Sequence, residues 1–324
     1  MAWRLKLVPD ETKIDFFRLQ TYTFGLSGIL VVASLICLFV MGLNFGIDFR
    51  GGTTIRTEAT QPVDVGAYRD AIAPLNLGDV AISEVFDPTF GPEEHVAQIR
   101  IQAQEGSESV SPETITRVEA ALQQVDPTLT FPSVESVGPK VSGELIQTAI
   151  NAVLASLLAI SAYIWLRFEW QFAVGAFVSL IHDVVITLGV FSLFQIKFDL
   201  TIIAALLTIL GYSINDTVVV FDRLRENLIK FKSMALRDVM NLSVNETLSR
   251  TVMTSGTTLV ALIALLVLGG DVIRGFVFAI TFGIIIGTYS SIYVAKNIVL
   301  WLGVKRDWSK PDPEKLPDQF RESP

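Results

Sequence analysis

The sequence predicts a polytopic α-helical membrane protein with six spans and one small α+β domain outside the bilayer. Three observations carry this. The chain is 51% hydrophobic over 324 residues and only 18% charged, against about 25% charged for a soluble domain. Its apolar residues gather into long charge-free runs, and a bilayer core needs about 20 such residues. Its acidity, a net charge of −8, sits in one long polar segment. At this hydropathy neither a soluble enzyme nor a disordered chain is expected. Nucleic-acid binding is disfavoured, because phosphate contact needs a basic face. One cysteine and two histidines exclude an intrachain disulfide and a Cys-based zinc site.

The elements run in order. Residues 1–20 form a charged N-terminal segment. The uncharged run after Arg18 gives the first span, 21–43, too long and too mixed in its flanking charge for a cleaved signal. Residues 44–144 form the long loop. The remaining spans lie within 145–303: Leu145–Leu166, Trp170–Ile196, Leu200–Phe221, Thr251–Gly270 and Gly275–Ala295. Residues 222–250 connect the fourth and fifth spans, and basic residues beside Leu224, Leu228 and Phe231 read as a helix lying on the inner leaflet. Residues 304–324 are a tail. With both termini cytoplasmic, sixteen of the 25 Lys and Arg residues fall inside, as do Trp3, Trp165, Trp170, Trp301 and Trp308. The outer turns keep Lys197 and Arg274.

The long loop, from Asp48 to Glu144, holds 6 basic and 16 acidic residues. Strand-like Thr53–Thr57 precedes helical spacing over Val63–Leu75. Val80–Phe86 and Val96–Ile101 alternate, separated by turn signals at Asp87-Pro88 and Gly91-Pro92. A polar loop, Gln104–Val110, leads to Ser111-Pro112, which opens a helix with the apolar face Ile115, Val118, Leu122 and Val125. A strand over Phe131–Val137 closes a ferredoxin-like βαββαβ order. His95 reads as an ordinary strand or surface histidine.

Ionisable groups at membrane depth are costly and mark function by default. Asp216 lies in the fourth span, with Thr208, Tyr212 and Asn215 at helical spacing and Ser213 and Thr217 close by. Its other reading is a solvated residue near the cytoplasmic end. Arg250 opens the fifth span at a depth where it could meet Asp216; its other reading is a positive-inside anchor. His182-Asp183 interrupts the third span and either relays a proton or makes a structural contact between helices. Lys296 is expected to snorkel to the cytoplasmic interface, Cys37 to pack as a small residue, and Gly283-xxx-Gly287 to mark close helix packing.

Four runs carry a family resemblance: Leu43-Asn44-Phe45-Gly46-Ile47-Asp48-Phe49-Arg50-Gly51-Gly52-Thr53, Val137–Gly143, Gly211 through Asn227 around Asn215-Asp216-Thr217, and Asn245–Thr251. Together they resemble the SecD/SecF protein-export family of the RND superfamily, over about Phe16–Leu302. Lys296-Asn297 departs from the pattern, where a small residue and proline are more usual. The resemblance implies a partner, SecD, work with the SecYEG channel and a YajC-like small subunit, and an unfolded polypeptide in transit across the bacterial inner membrane. It implies a proton gradient as energy source with no cofactor, and no bond-making chemistry. It maps the family's intramembrane Asp and Arg onto Asp216 and Arg250. These two are expected to pair at rest, with Asn215, Tyr212 and Ser213 in support. Gly46, Asp48, Gly51, Gly52, Gly138 and Gly143 are then expected hinges toward the outer domain. Two rivals remain: half of an RND-type exporter of small molecules or lipids, and a passive scaffold for the channel.

Overall fold

A computed structural model describes residues 12–78, 80–86, 91, 94–102 and 110–304. The expected Asp87-Pro88 turn, most of the loop before Val110, Trp3, Trp308 and the tail after Val304 lie outside the described residues.

The α+β domain, called the outer domain because it lies outside the helix bundle, has the predicted order. It runs β2 (Gly52–Ala59), α3 (Val65–Ile72), β3 (Val80–Val85), β4 (His95–Gln102), α4 (Pro112–Val125) and β5 (Thr130–Val137). The strands form one antiparallel sheet in the order β3-β4-β2-β5, the split βαβ arrangement. Both helices start at side-chain caps: Asp64 accepts from Ala67 N at 3.0 Å, and Ser111 from Thr114 N at 3.2 Å, satisfying donors that have no partner inside the helix. One sheet face supplies Ile55, Ile82, Ala97, Ile99 and Ile101, which pack with Tyr68, Ile72, Val118 and Leu122 of the helices. Val125, expected on that face, is 40% exposed at the end of α4.

The other sheet face is polar. Arg56, Gln98 and Glu135 line a cleft of about 800 Å³, closed on its far side by Lys197, Asp199 and Arg274 at the outer end of the bundle. Arg100 belongs to this face. Burial pulls its guanidinium below the ordinary arginine value, against the pull of Asp199.

Among the described residues, six helical spans are long and apolar enough to cross a membrane. They are α1 (Gln20–Val40), α5 (Pro139–Arg167), α6 (Trp170–Leu193), α7 (Leu200–Lys230), α8 (Leu236–Leu268), and α9 (Asp271–Ser290), which continues through a π-helical turn into α10 (Lys296–Leu302). Of these, α6 is the most enclosed and α1 and α8 the least. The two buried residues of α1 are serines. Ser34 sits so close to Gly189 that a Cβ there would collide with it, the small-residue contact expected where two spans approach. Gly283 does the same between α9 and α7, meeting Ile209, and Gly287 packs tightly on Ser213.

Three features differ from the sequence reading. α5 begins at Pro139 rather than 145, so Gly143 lies inside a helix and Gly138 just before it. The connection 222–250 is no separate helix on the leaflet. α7 runs on to Lys230 and α8 starts at Leu236, giving an antiparallel hairpin pinned by Asn227 Nδ2 to Ser243 Oγ (3.1 Å) and by Arg223 to Glu246 (2.7 Å). Its apolar spacing serves this packing instead of lipid. Lys296 does not snorkel: it is 1% exposed, with Nζ 3.8 Å from the Phe17 ring centroid. The π turn Ser291–Ala295 fits an extra residue into the helix and rotates α10 relative to α9. Phe16 and Phe17 then close over the ammonium.

The segment ahead of α1 is held by two asparagines of α8. Asn245 Oδ1 accepts from Ile14 N (2.8 Å) and Asn241 Oδ1 from Phe16 N (2.9 Å), while both side-chain amides donate to Ile14 O.

Candidate functional site

Asp216 is 3% exposed and turned toward α8 and α9. Ser255 Oγ on α8 lies 3.4 Å from Asp216 Oδ2 and 2.8 Å from Thr288 Oγ1 on α9. A carboxyl, two hydroxyls and three spans thus meet at one point. The inward stripe of α7 is Ser213, Asp216, Thr217 and Val220. The stripe expected from sequence, Thr208, Tyr212 and Asn215, lies on the neighbouring face. Thr208 and Asn215 are exposed and Tyr212 is half-buried, its hydroxyl 3.4 Å from Thr258 Oγ1. Both stripes have helical spacing, so periodicity alone cannot rank them.

Arg250 is exposed, and among the described residues no ion pair joins it to Asp216. Arg250 lies five residues before Ser255 on α8, more than one turn along and on a different bearing. The expected resting pair is therefore absent from this arrangement.

His182 and Asp183 form a second polar centre, one the sequence singles out without its partners. His182 Nδ1 lies 2.9 Å from Asp183 Oδ1. Ser213 and Ser290 both donate to Asp183 Oδ2, at 2.6 and 2.8 Å. Ser213, expected beside Asp216, thus serves Asp183 instead. Nothing in the sequence sets Ser290 apart from any other serine in a span.

The connector between α1 and the outer domain is fastened down. β1 (Asn44–Phe45) pairs in parallel with β6 (Lys197–Phe198), the turn before α7. Gly46 N donates to Phe198 O at 2.8 Å, and Leu200 N donates to Asp48 Oδ2 at 3.0 Å. A Cβ at Gly46 would press on Asp199 and Lys197 at 3.3 Å. The one-turn helix α2 (Ile47–Arg50) ends at Gly51 (φ 73°) and Gly52 (φ 133°), backbone angles that L side chains rarely adopt. Phe45, Phe49, Phe191 and Phe198 cluster around this joint. On the far side, Asp271 N donates to Phe86 O (2.8 Å) and Phe86 N to Asp271 Oδ2 (2.7 Å). Among the described residues, hydrogen bonds thus tie the outer domain to the bundle both at the connector and at Asp271.

Fold and site together define a multi-pass membrane protein whose buried polar centres lie beneath an outer domain stitched to its helix ends. The sequence profile described as protein export membrane protein SecD/SecF, C-terminal, matches residues 117–305, and that of the SecD/SecF GG motif matches residues 38–63. The chain belongs to the SecD/SecF family of protein export membrane proteins. It is 69% identical over 320 residues to the protein translocase subunit SecF of Cereibacter sphaeroides, covering 99% of this chain and 98% of that one. It is 63% identical to the SecF subunit of Rhodobacter capsulatus, covering 97% and 96%.

Among solved structures it is similar to SecDF from Thermus thermophilus, with TM-score 0.79, 36% identity, and coverage of 91% of this chain and 39% of that chain. A SecDF crystal structure in a super-membrane-facing form gives TM-score 0.67, 37% identity and coverage of 92% and 40%. The chain therefore spans about two fifths of each SecDF chain. The glycine pair with positive φ, Gly51-Gly52, falls inside the GG match.

Proposed function

We propose that this chain works with a SecD partner, beside the SecYEG channel and a YajC-like subunit, to couple the proton-motive force to late steps of polypeptide export. In this reading it resides in the bacterial inner membrane with both termini cytoplasmic. The carrying observation is Asp216, a carboxyl 3% exposed at a three-helix junction with a hydroxyl at 3.4 Å. Gain or loss of one proton there changes the local charge by a full unit where little water can compensate.

Two features favour a partner. Asn215 and Arg250 are exposed on α7 and α8, polar groups that lipid would not satisfy. The similar SecDF chains are more than twice as long as this one, which leaves room for the helices that would cover this face. Arg250 then works at that interface, approaching Asp216 in one state and leaving it in another.

One charge crossing about 100 mV supplies about 2.3 kcal/mol, a bias of roughly 50-fold on a two-state element. That suffices for a ratchet against back-sliding of an unfolded chain, not for dragging a folded one. In inverted vesicles holding the partner and the channel, Asp216→Asn is expected to abolish the stimulation of export by a proton gradient while leaving ATP-driven export in place. Gradient-stimulated export at the wild-type level in Asp216→Asn vesicles would overturn the proposal.

A further inference from the structure

We propose that His182 and Asp183 form a second proton-binding site, separate from Asp216, that takes its proton at His182 Nε2 and answers to the helix carrying the outer domain.

Asp183 is 0% and His182 5% exposed. Three groups hold the carboxylate: Oδ1 faces His182 Nδ1, and Oδ2 receives Ser213 from α7 and Ser290 from α9. Ser179 Oγ in turn donates to Ser290 Oγ at 2.9 Å, and of the two acceptors in reach of the Ser290 hydroxyl the carboxylate is the nearer, 2.8 Å against 3.1 Å for Gly287 O. With Asp183 ionised, Nδ1–H is the donor to Oδ1 and the ring's free lone pair is on Nε2. That atom is buried and has no hydrogen-bond partner among the described residues. It is the buried nitrogen of the cluster with capacity left. A proton from the aqueous phase forms one N–H bond there and breaks none in the protein. The ring becomes imidazolium, Asp183 stays a carboxylate, and the cluster passes from net −1 to net zero.

The new N–H finds no acceptor in the present packing, and a buried unsatisfied donor is costly. Proton uptake therefore has to move the ring or its neighbours. The His182 ring stacks on Tyr289, centroids 6.2 Å apart. Tyr289 Oη donates to Thr23 O of α1 at 2.6 Å and lies 2.9 Å from Ser27 Oγ. α1 also meets α6 at Ser34 against Gly189, and Ser192 Oγ donates toward Cys37 O and Gly42 O at 2.9 and 2.7 Å. Motion at His182 thus reaches the helix that enters the connector.

Other titratable groups lie on every element packed around α6. α7 carries Asp216, one turn beyond Ser213, and Tyr212. α9 and the π turn carry Tyr289 and Tyr293, α10 carries Lys296, and α1 carries Cys37 and Tyr22. α5 carries Tyr163 and Arg167 toward its cytoplasmic end and Lys140 and Glu144 at its outer end. A titration assigned to His182 has to be told apart from all of these.

The inference deepens the proton-coupled reading and rests on it for its purpose, yet its test is independent. The chain has two histidines, so His95→Gln, a change on β4 of the outer domain, leaves His182 as the sole imidazole. Nitrogen NMR of this full chain, labelled at histidine and embedded in bilayers with its partner, reads that ring alone. The expected result is conversion of the ring between its neutral and imidazolium forms as the bathing pH is varied, displaced in Asp183→Asn. One unchanging form at every pH overturns the proposal, whether or not Asp183→Asn assembles. So does a conversion that Asp183→Asn leaves in place. A silent His182 beside intact gradient-stimulated export defeats this inference alone. A titrating His182 beside Asp216→Asn export at the wild-type level defeats the reading above it.

Discussion

Gly283→Leu is expected to yield no folded bundle. Gly283 faces Ile209 across the contact of α9 with α7, and even a single added carbon would overlap the Ile209 side chain. Ile209 is 0% exposed, in the same cluster as Phe191, Leu206 and Ile280, so it has nowhere to go. Adding one methyl to a well-packed core costs about 1–3 kcal/mol; leucine adds three carbons more. Both polar centres depend on this contact, because Ser213 on α7 and Ser290 on α9 converge on Asp183, and Asp216 on α7 reaches Thr288 on α9 through Ser255. Yield and thermal stability in detergent measure the effect. The milder Gly283→Ala should be rescued in part by Ile209→Ala, since contacting residues couple in a double-mutant cycle. Gly283→Leu protein with wild-type yield and stability would show that α7 and α9 do not pack as described.

Phe198→Ala acts on the attachment of the outer domain. Phe198 is 4% exposed, with ring contacts to Phe45, Phe49 and Phe191 at 5.8–6.2 Å. Truncating a buried phenylalanine costs about 3–5 kcal/mol. Here the loss falls on the joint between connector and bundle, because the core of the outer domain is a different cluster. Hydrogen exchange should therefore quicken at Gly46 and Leu200, whose amides are held by Phe198 O and Asp48 Oδ2. The amides of β2 and β4 should keep their protection. Equal loosening of β4 and Gly46 would mean that connector and domain unfold as one unit.

Much of this is legible in the sequence because lipid and strand geometry impose strong patterns. Charge-free runs mark the six spans, and period-2 alternation with Ser111-Pro112 marks the outer domain. Helix ends are less legible, since the tails of α7 and α8 bury their apolar residues against each other and not against lipid. The polar stripe on α7 lies one face away from the expected one, because Thr208-Tyr212-Asn215 and Ser213-Asp216-Val220 are equally periodic. Lys296 misleads because snorkelling assumes an unbroken helix, whereas a π turn precedes it and Phe17 covers it. His182 and Asp183 are consecutive, a spacing that normally points side chains apart on a helix. Their hydrogen bond and their serine partners from α7 and α9 come from tertiary packing, which spacing within α6 does not encode.

The central claim is that protons move through this chain by way of Asp216. The direct measurement is proton influx into liposomes containing the chain, its partner and the channel, with a polypeptide arrested in transit and a gradient imposed. Polypeptide-dependent influx is expected with the wild-type chain and is expected to fall to the background of empty liposomes with Asp216→Asn. Influx through Asp216→Asn equal to that of the wild type would contradict the account.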